Sequence, residues 1–317
     1  MKKRIIFTIG DPNGIGPEII LRIFNSPLSK RFFLKAIGPG KIFDYYSKLL
    51  RINSLNPENL LNIKDYDTFK TVPGKVSPLA GRIAGDAVQL ASDLCMHEEY
   101  DAMVTLPLSK ESLNLGGYEF PGHTEMLEYY TGSKEVLMIM HSPELIIANA
   151  TNQIPVKKLS RIINKSFIKK KLILLNNILV SELKIFKPSI AVLSFNPHNG
   201  DGGKISNEEQ ISIVPAIEEL KSEGLNISGT FAADSYFGNK IYKKFNVTLA
   251  LFHDQGLIPF KMLAGKNGVN FTGGLKIIRT SPDHGTAFDI AGKGIAEISS
   301  TIAAIKLASK IIDVKSK

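Results

Sequence analysis

Two apolar runs constrain this chain most: Ile190-Ala191-Val192-Leu193-Ser194-Phe195 and Val247-Thr248-Leu249-Ala250-Leu251-Phe252. Neither alternates apolar with polar residues, so neither suits a sheet with one wet face. Strands buried on both faces read this way, and they belong to parallel sheets covered by helices. Similar runs recur at Ile5–Ile9, Phe33–Ile37, Ala102–Thr105, Val136–Met140 and Leu145–Ala148. Helical patterns fall between them: one begins near Pro17-Glu18, others lie around 159–184 and 207–223, and a last one runs near 295–313. This alternation predicts an α/β fold. A chain of 317 residues is long enough for one large domain or two smaller ones sharing a cleft.

The formal net charge is +9, with the cations spread in small groups such as Lys2-Lys3-Arg4, Lys157-Lys158 and Lys169-Lys170-Lys171. Solvated helix faces explain such a pattern, and so does a positive cleft that draws in an anionic small substrate. Nucleic-acid readers cluster cations with aromatics or on a recognition helix, so no nucleic-acid partner is expected. The single cysteine, Cys95, excludes an intrachain disulfide and a cysteine-based zinc site. It lies in an apolar helical pattern and reads as core. The apolar run after Arg4 ends at Gly10-Asp11-Pro12, too short for a signal peptide. No run approaches the roughly 18 apolar residues of a membrane span. A cytoplasmic protein without a membrane partner is therefore expected.

In open α/β sheets, working residues sit just beyond the carboxyl ends of strands. One apolar run leads into Asn196-Pro197-His198-Asn199-Gly200-Asp201-Gly202-Gly203, the other into His253-Asp254-Gln255-Gly256. Two histidines at equivalent strand ends could converge on one divalent metal, or each could be a plain polar loop residue. Gly122-His123-Thr124-Glu125 opens a helical stretch with Thr124 as the expected N-cap. Its amide groups suit a phosphate, and equally suit a simple capped helix. His284-Gly285-Thr286-Ala287 lies in a Gly-rich stretch that permits close ligand approach, although the chain has no Gly-x-Gly-x-x-Gly fingerprint. Lys261, Asn270 and Arg279 stand nearby in sequence, and two cations with an amide suit an anionic substrate.

The segments Gly10–Glu18, Pro121–Glu125, Asn196–His198, His253–Leu257 and Arg279–Ala287 occur in a fixed order. As an ordered set they closely resemble the 4-hydroxythreonine-4-phosphate dehydrogenase family of pyridoxal phosphate biosynthesis, from about residue 4 to about residue 310. The stretch His284–Gly294 is also similar to the adenosine-binding segment of isocitrate and isopropylmalate dehydrogenases. The resemblance implies their two-domain α/β fold with the active site in the interdomain cleft. Residues 1–128 with 270–317 would form the first domain. Residues 129–269 would form the second, carrying the metal loops and dimer contacts. It further implies a homodimer whose partner subunit contributes to the site, NAD or NADP, and a divalent metal such as zinc, magnesium, manganese or cobalt. The reaction implied is oxidation of 4-phosphooxy-L-threonine, with loss of carbon dioxide to give 3-amino-2-oxopropyl phosphate.

Carried over by position, the resemblance makes His123, Thr124, Lys261, Asn270 and Arg279 substrate contacts. It makes Asp283, His284, Gly285 and Thr286 the cofactor segment, and His198 and His253 metal ligands. Where the family has a third histidine this chain has Gln153, whose carbonyl oxygen is a harder donor than imidazole. A smaller departure is Asp201, where the family usually has Glu. Asp254 and Lys110 are the two candidates for the general base. Alternative readings are a dehydrogenase of threonate or erythronate 4-phosphate or of a dihydrodiol, an acyltransferase of the phosphotransacetylase type, and a non-catalytic binding protein.

Overall fold

The computed structural model describes residues 2–63, 66 and 68–315. Its strands are β1 (Arg4–Thr8), β2 (Phe33–Ile37), β3 (Leu60–Leu61), β4 (Ala102–Thr105), β5 (Leu137–His141), β6 (Ile146–Asn149), β7 (Ile190–Leu193), β8 (Ile227–Phe231), β9 (Val247–Ala250), β10 (Val269–Gly273) and β11 (Arg279–Pro282). The chain divides into two compact units, one built from residues up to Lys134 and from Val269 onward, the other from Glu135–Gly268.

In the first unit the strand order is β3-β2-β1-β4-β11-β10. Its pairings are parallel except for β10, which runs antiparallel to β11. The predicted runs at 33–37 and 102–105 are strands over those residues. The sequence did not announce β10 and β11. Polar Asn270, Thr272, Arg279, Thr280 and Ser281 hide them from any reading that follows apolar runs. Helix Gly16–Phe24 follows β1 and carries Pro17 in its first turn, where a missing N–H is harmless. A Cβ on Gly16 would lie 2.2 Å from the Ile9 carbonyl oxygen, so the close approach of strand and helix requires glycine there. Cys95 is buried on helix Pro78–Met96, and burial pushes its thiol up to about 12. It is an inert core residue.

The second unit orders its strands β5-β6-β9-β7-β8. β5 is antiparallel to β6, and the other pairings are parallel. The two apolar runs are thus neighbours, with Val192 opposite Leu249. Every residue of β7 and β9 is buried, which is why neither run alternates. Leu193, Ala250, Ile147, Tyr236 and Phe260 pack together as the core on one side of this sheet.

Two helices differ from the sequence expectation. The pattern at 159–184 breaks at Asn164, whose side chain accepts the Phe167 N–H at 3.0 Å and caps a new helix, Lys165–Ser181. The pattern at 207–223 opens with a wide turn over Glu209–Ile213 before helix Val214–Ser222. Pro215 lies just beyond and has no N–H for the preceding turn, which favours such a widening. Among the described residues no helix is long and apolar enough to cross a membrane.

Candidate active site

Three adjacent parallel strands of the second unit, β6, β9 and β7, end in the loops carrying Gln153, His253 and His198. All three side chains are exposed. The fold therefore brings the three expected ligands to neighbouring strand ends. Among the described residues no three His, Cys, Asp or Glu side chains gather into a metal-binding group. The donor set at these strand ends is instead two imidazoles and one carboxamide. His253 is the first residue of helix His253–Ala264, and its Nδ1 lies 2.7 Å from Asp254 Oδ1. A carboxylate on one ring nitrogen fixes the imidazole and turns the other nitrogen to a metal, as ligating histidines require. The residues present thus fit a divalent ion with nitrogen and oxygen donors. Lys261 lies exposed on the same helix, about two turns further on. A cleft of about 440 Å³ opens at the ends of β7, β8 and β9, lined in part by Phe195, Ala233, Phe252, Asp254 and Ile258.

His198 sits in an unusual turn. Residues His198 to Gly202 all have positive φ, between 45° and 73°. Each non-glycine residue in this region costs roughly 1–2 kcal/mol, so the turn persists only where neighbours hold it. Glu209, 2% exposed, is the main holder. Its Oε1 accepts the N–H groups of Phe195 and Asn196 at 2.8 and 2.6 Å. Its Oε2 accepts Asn196 Nδ2 at 2.9 Å, and the same nitrogen donates to Glu208 Oε2 at 2.9 Å. Gly200 completes the turn: at φ 73°, with Ser206 O only 2.4 Å from where a Cβ would stand, no other residue fits. Gln255 donates from Nε2 to Ser194 O at 2.7 Å and accepts Leu251 N–H at 2.8 Å. Sequence reasoning missed Glu209 and Gln255. Gln255 stood inside a quoted motif, but its two backbone partners are invisible without the sheet.

The first unit buries a cation among neutral groups. Arg279 begins β11 and is 2% exposed. It donates from Nε to Thr105 Oγ1 and from Nη1 to Thr272 Oγ1, both at 2.9 Å. Those threonines lie on the flanking strands β4 and β10 and were not expected from sequence. Among the described residues no carboxylate pairs with this guanidinium. Burial pulls it down to about 9. A buried cation without a counter-ion is unfavourable unless a ligand supplies one. His123 is near enough to feel this charge. Burial, then repulsion from Arg279 and Lys110, holds its imidazole well below the usual histidine range, so it is neutral at pH 7. His123 Nε2 and Asn270 Oδ1 are sealed from solvent and make no hydrogen bond within the protein. Lys110 starts helix Lys110–Leu115, which Ser109 caps. The expected cap of the next helix is corrected: helix His123–Thr131 has Gly122 as its N-cap, and Thr124 lies one residue inside. Gly122 sits in fully extended backbone with no side chain to donate a cap, so the helix start faces its surroundings uncapped.

The segment Asp283–Thr286, expected to meet the cofactor, follows β11 in the same unit. Asp283 is tied to the start of helix Ser299–Lys315, its N–H donating to Ser300 Oγ at 3.0 Å. His284 Nε2 is sealed and unpartnered, Gly285 borders open space, and Thr286 O accepts the Ile15 N–H at 3.1 Å. The loop after β1 supports this segment. Asn13 is pinned by bonds to Lys75 O at 2.8 Å and from Val72 N at 2.9 Å. Glu18, fully buried, accepts the Ala296 N–H at 2.9 Å. The Gly10–Glu18 motif is therefore a packing element under the Asp283–Thr286 segment.

A family model described as pyridoxal phosphate biosynthetic protein PdxA matches residues 35–308. A 4-hydroxythreonine-4-phosphate dehydrogenase of Bacteroides thetaiotaomicron is 39% identical, covering 97% of this chain and 88% of the relative. That of Prosthecochloris aestuarii is 38% identical, covering 98% and 97%. The crystal structure of the Klebsiella pneumoniae enzyme of the same name matches with a TM-score of 0.82 at 31% identity, covering 98% of this chain and 99% of the other. By the extent of these matches, the chain belongs to the PdxA family of pyridoxal phosphate biosynthetic proteins.

Proposed function

We infer that this chain is a 4-hydroxythreonine-4-phosphate dehydrogenase of pyridoxal phosphate biosynthesis. It oxidises 4-phosphooxy-L-threonine with NAD or NADP, and the β-keto acid formed loses carbon dioxide to give 3-amino-2-oxopropyl phosphate. The single observation that carries the reading, beside family membership, is Arg279: a buried guanidinium held by two threonine hydroxyls and lacking an anion of its own. The dianionic phosphate and the carboxylate of the substrate are both suited to it.

The remaining roles follow from side-chain chemistry. Neutral His123 and the amide of Asn270 hydrogen-bond the substrate without adding charge. Thr124 and the amide groups of its helix start take phosphate oxygens. Lys261 contributes a further cation. His198, His253 and Gln153 hold a divalent ion, and Asp254 orients the His253 ring. When bound, that ion supplies Lewis acidity and the nicotinamide supplies the hydride acceptor. Asp283 to Thr286 form the adenosine-side contact. Two side chains can take the hydroxyl proton: Asp254, whose carboxylate also serves His253, and Lys110 in its neutral amine form. Substituting each separately and comparing the pH dependence of turnover tells them apart.

A homodimer is part of this reading. Helix His253–Ala264 leaves Ile258 and Met262, one turn apart, 59% and 80% exposed, an apolar pair that a second copy would cover. Sedimentation analysis measures this directly.

The function is tested by following reduction of NAD and of NADP with 4-phosphooxy-L-threonine, threonate 4-phosphate and erythronate 4-phosphate in turn. Rapid turnover of the amino-acid phosphate alone is expected. Preferential oxidation of a sugar-acid phosphate would overturn the substrate assignment. Acyl phosphate formation without cofactor reduction would restore the acyltransferase reading, which family membership now opposes.

A further inference from the structure

The paired strands β7 and β9 stop exchanging registered partners at Val192 and Leu249. Two residues further along each strand stand Ser194 and Leu251. Their backbones are not joined to each other there, and the Gln255 side chain spans the gap. Its Nε2 donates to Ser194 O at 2.7 Å, and its Oε1 accepts Leu251 N–H at 2.8 Å. Leu251 O in turn accepts the Thr151 hydroxyl at 2.8 Å, at the head of the Gln153 loop. One side-chain amide thus stands where the next rung of the ladder would be, at the mouths of the two histidine loops.

We propose that Gln255 is a positioning residue whose amide fixes the separation of the His198 and His253 loops. The consequence drawn for metal affinity rests on the metal reading above. Only a primary amide suits the place. It presents one donor and one acceptor on a rigid plane, matched to a carbonyl on one strand and an N–H on the next. A carboxylate of the same shape keeps the acceptor but sets an oxygen against the Ser194 carbonyl. A leucine of similar size makes neither bond and leaves both buried backbone groups unpaired.

The test uses the full chain in metal-free form and with Co2+. Wild type, Gln255→Glu, Gln255→Leu and His253→Ala are compared by hydrogen exchange of the 195–204 and 251–256 segments, by Co2+ titration through its visible absorption, and by thermal melting. In the glutamate variant both segments are expected to exchange at least about tenfold faster. Its Co2+ affinity should fall about 10- to 100-fold with a changed band shape, the size of effect seen when a supporting partner of a ligand is removed. The leucine variant should do the same, so that a folding defect confined to one variant does not decide the matter. Wild-type exchange in both segments overturns the proposal. So does wild-type Co2+ binding in the Gln255 variants when His253→Ala has lost it. If His253→Ala itself binds as wild type does, the metal reading fails, and the exchange rates of the metal-free protein alone decide whether Gln255 sets the loops.

Discussion

Arg279 donates from Nε to the hydroxyl of Thr105 at 2.9 Å, and the partner of this buried cation is a neutral group on the adjoining strand. A guanidinium placed so is poised for an anion and unfavourable without one. Its value is lowered in the folded state. The penalty on stability is therefore fully present below about 9 and is relieved as pH rises through that value towards the ordinary arginine range. Replacing Arg279 with Met should lower kcat/KM by about 10²–10³-fold. It should leave the melting temperature unchanged or raised, because no charged partner is stranded. Inorganic phosphate should raise the melting temperature of the wild type and not that of the variant. Thermal shift and steady-state kinetics check both statements.

His123 is expected to be neutral throughout the working range. Burial comes first among the causes, followed by the nearby cations Arg279 and Lys110. With its folded value depressed, the native protein binds fewer protons than the unfolded chain as pH falls below the usual histidine value near 6.5. The contribution of this residue is therefore complete above that pH and is lost on acidification. A ring resonance that titrates near 6.5 would contradict this. A His123→Gln variant should lose less stability between pH 7 and about 5 than the wild type does, read from denaturant midpoints.

The Glu209 carboxylate satisfies two backbone N–H groups and one side-chain amide around the His198 turn. Glu209→Ala should destabilise the protein by about 3 kcal/mol, since it strands buried donors. Glu209→Gln should cost about half as much, since it keeps one acceptor and weakens a charged hydrogen bond. Urea denaturation measures both. Metal affinity should fall with stability in each variant, because the left-handed turn that bears His198 has lost its support.

The ligand assignment is tested most cleanly with substitutions that respect the backbone. His198 has φ 52°, where alanine adds strain and asparagine does not. His198→Asn and His253→Ala should each reduce bound metal and turnover by at least about a hundredfold. Gln153→His, at the end of the neighbouring strand, should raise zinc affinity and shift preference from oxygen-seeking ions towards zinc. Metal analysis of the dialysed proteins gives the answer, and full metal content in both histidine variants would sink the assignment.

Much of the fold is legible in the sequence. The runs at 190–195 and 247–252 hold the wholly buried parallel strands Ile190–Leu193 and Val247–Ala250, as their lack of polar alternation led one to expect. Strands β10 and β11 were hidden because they bury polar residues. The break at Asn164 was hidden because a helical apolar pattern can continue across a cap. Candidate ligands and substrate residues were named from ordered motifs. Their supports, Thr105, Thr272, Glu209 and the two faces of Gln255, were not, because each acts on a residue distant in sequence or on a backbone atom that carries no sequence signature.

By itself the sequence determined the α/β class, the parallel core strands, the family and the types of side chain available to the chemistry. These depend on local composition and order, which every residue declares. Tertiary structure alone decided which of those side chains are neutral, buried or held. Among the described residues Arg279 lacks a counter-ion because β4 and β10 enclose it with hydroxyls and no carboxylate, and His123 is neutral because it is buried and, second, because that cation lies near it. The positions of His198 and His253 depend on bonds from Glu209 and Gln255 to strand ends. Desolvation and hydrogen-bond geometry are properties of the enclosure, and no residue carries them alone.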